Sequence, residues 1–137
     1  MKTRIETDKA PKAIGPYSQG VKGSSTELLF LSGQIPIVPE TGEVLSGSIE
    51  EQTKQVLTNL EAVLKAGGSS LERVLKTTVF LANMDDFPQM NAVYAQFFTH
   101  QPPARSTVEV SRLPRNVRIE IDLIAMTEGE AEDGLSV

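Results

Sequence analysis

Apolar positions recur along this chain with two periods, and the periods lay out its elements. Val117, Ile119, Ile121, Leu123 and Ala125 alternate with Arg118, Glu120 and Asp122, as a half-buried strand requires. The segment before it, from Pro103 to Arg112, reads as a partner strand joined by a short turn centred on Leu113-Pro114. In that hairpin Thr107 lies opposite Glu120 and Arg105 opposite Asp122, so Arg105, Glu120 and Asp122 share one face. A helical period runs through Ile49, Val56, Leu57, Leu60, Val63 and Leu64. Ser48 and Glu51 fit a capping box at its start, and Gly67-Gly68 supplies a left-handed stop. Leu71 to Ala82 is a β-branched run typical of a central strand. Asp85 is the expected cap of a second helix that tolerates Pro88 in its first turn. The stripe of that helix is Phe87, Met90, Val93, Tyr94, Phe97 and Phe98.

The N-terminal third is less regular. Lys2 to Thr7 fits an edge strand, and Lys9 to Gln19 is a loop stiffened by Pro11 and Pro16. Short strands are predicted at Gln19–Val21 and Glu27–Leu31, around a Lys22-Gly23-Ser24-Ser25 turn. The second ends in Ser32-Gly33, where a glycine lets backbone approach a ligand closely. Pro39 to Glu43 is a further turn. The order β-β-β-α-β-α-β-β predicts a two-layer α+β domain, one mixed sheet with both helices on the same face. The other face has nothing in the chain to cover it, yet mixes Thr and aliphatic positions with Arg105, Arg118, Glu120 and Asp122. Such a face points to oligomerisation.

Composition narrows the chemistry. At 137 residues the chain is one domain, with no cysteine and hence no disulfide or thiol chemistry. The N-terminus has no apolar run and no segment approaches a membrane span, so a cytoplasmic location is expected. The net charge of −5 is concentrated after Ala125, in Glu128, Glu130, Glu132 and Asp133; the rest holds 14 acidic and 13 basic residues. A nearly neutral body without a basic cluster argues against nucleic acid as a partner. Residues 1–126 form the expected domain, and the acidic segment 127–137 is expected to be disordered. His100 is the only histidine and has no second ligand nearby. Neither a metal site nor a Ser-His-Asp arrangement using Ser32 is supported.

Arg105 and Glu120 admit two readings. One is cross-strand pairing, Arg105 with Asp122 and Glu109 with Arg118, each worth well under ~1 kcal/mol if exposed. In the other, the planar fork of Arg105 binds a small carboxylate while Glu120 positions a water or moves a proton. Tyr17 either plugs the core edge or stands over a pocket on its stiff Gly-Pro loop. Asn91 flanks the apolar stripe as a structural amide or a ligand contact.

Four stretches occur together and in order: Ile14-Gly15-Pro16-Tyr17-Ser18-Gln19, Ser32-Gly33-Gln34-Ile35-Pro36, Val74 to Leu81, and Pro103-Ala104-Arg105-Ser106 through Ile119-Glu120-Ile121. Over about Lys2 to Ala125 the chain resembles the RidA/YjgF family of reactive-intermediate deaminases. The resemblance implies a chorismate-mutase-like α+β fold and a homotrimer with sites between subunits. It also implies hydrolysis of 2-imino acids (2-iminobutanoate, 2-iminopropanoate) to 2-oxo acids and ammonia, without a cofactor. Arg105 would grip the substrate carboxylate and Glu120 would position the attacking water. Tyr17, Ser32, Gly33, Asn91 and Thr107 would line the cleft, Gly33 and Thr107 partly through backbone groups. Thr107 departs from the family, where cysteine is common. The alternatives are a non-catalytic binder of small 2-oxo acids and, less favoured by the charge, an RNA-directed inhibitor of translation.

Overall fold

The computed structural model describes residues 2–24 and 27–127. Its sheet has four strands in the order β3 (Leu28–Gln34), β8 (Ile119–Met126), β6 (Val74–Leu81) and β7 (Ala104–Glu109). β8 runs antiparallel to both β3 and β6, whereas β7 runs parallel to β6. Helices α1 (Ile49–Ala66) and α2 (Phe87–Phe97) pack their stripes against one side of this sheet, except that Val63 of the expected α1 stripe is 43% exposed. The architecture is therefore the expected two-layer α+β fold with a mixed sheet.

The strand order corrects the hairpin expectation. β7 and β8 are not neighbours, because β6 lies between them. The physical reason is the parallel β6–α2–β7 crossover, which returns β7 to the free side of β6. In register, Thr77 sits beside Arg105 on one side and Leu123 on the other, while Thr78 sits beside Ser106 and Asp122. Arg105 thus shares the helix-covered face with buried Thr77 and Leu123. Glu120 and Asp122 point to the opposite, open face. The expected pairings fail accordingly. Arg118 joins Asp86 at 3.0 Å, and Glu109 accepts the Met84 amide at 2.7 Å.

Two small antiparallel pairs complete the described chain. β1 (Lys2–Ile5) pairs with β2 (Gly20–Gly23), so β2 turns back on β1 and does not lead into β3 as a neighbouring strand. This pair rests on the sheet where a Cβ on Gly23 would come 2.7 Å from the Met126 sulfur and 2.8 Å from Leu75. The other pair is β4 (Ile37–Val38) with β5 (Glu43–Val44), around the expected turn, where Gly42 takes a φ of 74°.

The helix signals fare well. Ser48 and Glu51 form the full capping box, and Gly68 supplies the left-handed residue after α1, at φ 79°. Val56, Leu57, Leu60 and Leu64 are fully buried, each large side chain stabilising by roughly 2 kcal/mol relative to exposure. Asp85 is not the cap of α2; Asn83 accepts the Asp85 amide at 2.9 Å in a short 3-10 turn, and α2 follows from Phe87. Leu71–Arg73 is likewise a 3-10 turn, so β6 starts at Val74. Gln52 ties the layers, its amide donating to Leu45 O (3.1 Å) and its oxygen accepting the Arg118 amide (3.0 Å). Of the acidic C-terminal segment only Thr127 is described; it is buried, and its amide donates to Glu27 O. Ser25 and residues 128–137, with the expectations placed on them, lie outside the described residues.

Candidate functional site

Seven positions carry the sequence argument, and the fold sorts them into two clusters. The first is built on the β7 edge. Arg105 reaches from the strand toward α2, where one guanidinium nitrogen donates to Asn91 Oδ1 at 2.6 Å. The guanidinium carbon lies 4.8 Å from the ring centre of Tyr94 and 5.4 Å from those of Tyr17 and Phe87. Three π faces around one cation give it electrostatic support without supplying an acceptor. Among the described residues no carboxylate pairs with it. Four of its five N–H donors thus have no hydrogen-bond partner among the described residues. Burial lowers the Arg105 pKa, an effect partly opposed by Tyr94 and Tyr17.

The loop bearing Tyr17 is fastened to the same edge. Ser18 is buried; its hydroxyl donates to Pro102 O and its amide to Pro103 O at 3.1 Å. It forms a parallel bridge with Ala104, the residue before Arg105. A tight turn from the Tyr17 amide to Gly15 O, at 2.7 Å, then sets the phenol beside the arginine. Gly15 lies against Asn91, whose side-chain nitrogen would be 3.5 Å from an added Cβ. Thr107 follows Arg105 by two residues on the same face, and its buried hydroxyl has no hydrogen-bond partner among the described residues.

The second cluster lies on the open face near the β3 edge. Register passes from Leu31 beside Leu123 to Gln34 beside Ile121, so β3 carries one extra residue there. This bulge sets both Ser32 and Gly33 against Asp122. Gly33 lies directly under the Glu120 carboxylate, since a Cβ at Gly33 would fall 2.0 Å from Glu120 Oε2. Only a residue without a side chain leaves room for the carboxylate in this position. Ser32 is exposed beside it. Around the pair the open face is apolar as well as charged: Phe30 is 72% exposed and Val108 41%.

The structure therefore gathers Tyr17, Asn91, Arg105 and Thr107 at one edge and Ser32, Gly33 and Glu120 near the other. It does not bring Arg105 and Glu120 together within one chain. Their strands are two spacings apart, about 10 Å, and their side chains leave opposite faces. Sequence reasoning missed Phe87, Tyr94, Thr77 and Ser18. Phe87 and Tyr94 were legible only as parts of a helical stripe; no periodicity marks the stripe residues that touch a cation. A separate cleft of about 390 Å³ lies between Arg4, Glu6, Asp8, Lys12 and Gln19. It holds none of the candidate residues, and its Arg4 is already paired with Glu6 at 3.4 Å.

Together these features define a class: a two-layer α+β domain with an arginine caged by three aromatic rings at one sheet edge and a carboxylate lying over a glycine near the other. The chain belongs to the Endoribonuclease L-PSP family, the RidA/YjgF family, which it matches over residues 7–127. It is 55% identical over 128 residues to a RutC family protein of Pyrococcus horikoshii, covering 93% of this chain and 100% of that protein. It is 49% identical over 121 residues to Reactive Intermediate Deaminase A, chloroplastic, of Arabidopsis thaliana, covering 88% of this chain and 64% of that one. The crystal structure of E. coli TdcF with bound serine superposes with a TM-score of 0.70 at 43% identity, covering 92% of this chain and 99% of that one. No helix among the described residues is long and apolar enough to cross a membrane.

Proposed function

We propose that this protein hydrolyses 2-imino acids, 2-iminobutanoate and 2-iminopropanoate among them, to 2-oxo acids and ammonia. The observation that carries the reading is the state of Arg105: half-buried, held by three rings and one amide, with no carboxylate of its own among the described residues. Such a cation is prepared for a small anion, because its fork needs no reorganisation to accept a carboxylate. A relative of similar fold holds serine, which carries an α-carboxylate, and another is named for the deamination of reactive intermediates.

In this mechanism Arg105 binds the carboxylate and aligns the imine carbon. Glu120 accepts a proton from water as the oxygen attacks that carbon. Glu120 returns that proton to the nitrogen of the resulting amino alcohol, the C–N bond breaks as the hydroxyl gives up its own proton to water, and ammonia leaves with the 2-oxo acid as the second product. Orientation and one acid–base group suffice for an addition to so electrophilic a carbon. Because the two clusters cannot meet within one chain, the site would be completed by a second copy, whose Arg105 edge meets the Gly33–Glu120 surface of the first. A cyclic homotrimer closes such a head-to-tail contact, and the exposed Phe30 and Val108 supply apolar area for it.

The test uses threonine dehydratase to generate the imine and semicarbazide to trap it. Added protein should lower trapping and raise 2-oxobutanoate formation, and Arg105→Ala should abolish both effects. An inert wild type, or an Arg105→Ala variant as effective as wild type, rules the deaminase out.

A further inference from the structure

The Tyr94 hydroxyl is buried in an apolar core, where phenylalanine would fill nearly the same volume. Among the described residues its only hydrogen-bond partner is the Thr77 hydroxyl, at 2.8 Å. Both residues are fully buried. Burying two hydroxyls in such a place is unfavourable unless they bond each other, and gains nothing over an apolar pair of the same shape. The placement of Thr77 suggests a reason. Thr77 is the β6 residue directly in register with Arg105, and the Tyr94 ring is the closest of the three that surround the guanidinium. Phe98 packs on the same ring with centroids 4.6 Å apart. The ring is thus held by the residue that caps the C-terminus of its own helix and tethered, through its hydroxyl, to the strand beside the arginine.

We propose that Tyr94, fixed by Thr77, is a positioning residue that sets the plane and height of the Arg105 guanidinium for the substrate carboxylate. This rests on the reading that Arg105 binds that carboxylate. The tether references the ring, which α2 carries, to the same sheet that carries the arginine. A cation over a ring face is held in height and is free to slide laterally. Asn91 restrains it laterally from one end only. A bidentate contact tolerates little rotation, so the defined ring plane is spent on binding rather than on the chemical step.

The experiment compares Tyr94→Phe, Thr77→Val, their double variant and Thr77→Ser with wild type, at a temperature where circular dichroism shows each fully folded. Calorimetric titration with 2-oxobutanoate gives Kd, and the imine assay gives kcat and KM. Tyr94→Phe and Thr77→Val are each expected to raise Kd and KM about 5- to 10-fold with kcat within about 2-fold of wild type. The double variant should be no worse than either single one, since both delete the same bond. Thr77→Ser, which keeps the hydroxyl, should restore wild-type binding. If Tyr94→Phe does not fold, the Thr77→Val and Thr77→Ser pair decides alone. Wild-type Kd in Thr77→Val, or failure of Thr77→Ser to restore it, overturns the proposal. Arg105→Ala separates the two layers: if it binds 2-oxobutanoate as wild type does, the underlying carboxylate reading falls. If Arg105→Ala loses binding while the Tyr94 and Thr77 variants keep it, only the positioning role falls.

Discussion

Arg105 and Glu120 leave opposite faces of the sheet, with β6 between their strands. They lie fifteen positions apart in sequence, yet no small acid can touch both within one copy. On the proposed reading each chain owns two half-sites and completes neither alone.

Mixing variants tests this directly. Arg105→Ala and Glu120→Gln should each be inactive by themselves, because each destroys every site. Unfolded and refolded together in equal amounts, they should recover activity approaching about a quarter of wild type, the share of junctions that pair an intact arginine with an intact glutamate in a cyclic assembly. Activity that stays at the level of the separate variants would mean that the sites do not span copies.

Gly33→Ala should separate stability from activity. The added carbon would lie 2.0 Å from Glu120 Oε2, the end of a flexible side chain that can swing away. The melting temperature is therefore expected to change little, by less than about 1 kcal/mol in equivalent stability. Imine hydrolysis should fall by about 10²-fold, the usual worth of a positioned acid–base group. An alanine variant of full activity would remove Glu120 from the water-positioning role.

Gln52→Leu should do the reverse. It leaves the Arg118 amide and the Leu45 carbonyl without the partner that joins them in the structure. Urea denaturation should show a loss of about 1–3 kcal/mol, with the KM of the surviving folded protein unchanged. A loss below about 0.5 kcal/mol would show that water replaces the amide at no cost.

The two tyrosines offer a spectroscopic check. Burial pushes the Tyr94 phenol up to about 12, opposed by its bond to Thr77 and by Arg105. Alkaline titration at the tyrosinate absorbance band should show a late phase near there that Tyr94→Phe lacks. A raised folded pKa means that this group's contribution to stability is complete below the unfolded phenol's value and is lost as pH climbs from about 10 toward about 12. The Tyr94→Phe variant should lack that part of the alkaline loss of stability. If Tyr94→Phe removed a phase near about 10 and left any later one in place, the burial argument would be contradicted.

Much of the fold was legible in sequence because its signals are local. The Ser48–Glu51 box, the stripes of both helices and the alternation of β8 each depend on residues a few positions apart. Strand order is not local. The hairpin expectation joined Arg105 to Asp122 through the nearest turn, but a strand, a helix and a strand in succession tend to form a parallel crossover, and β6–α2–β7 does so. That one step reversed the face assigned to Arg105. Half of the site suffered with it: Tyr17, Asn91 and Arg105 do cluster, and Gly33 does lie under Glu120, while the expected union of Arg105 with Glu120 on one face fails. The caging rings escaped notice because Tyr94 and Phe87 satisfy a core pattern whether or not a cation lies against them.

The extra residue between Leu31 and Gln34 has a consequence for how this segment can vary. Deleting one residue would restore an unbroken ladder and draw the backbone out from under the carboxylate. Adding one would slide the upstream half of β3 by a position and turn Leu29 and Leu31 from the core to solvent. Substitutions at Ser32 leave that spacing intact. The number of residues in this short stretch, more than their identity, is the dimension that descent must preserve.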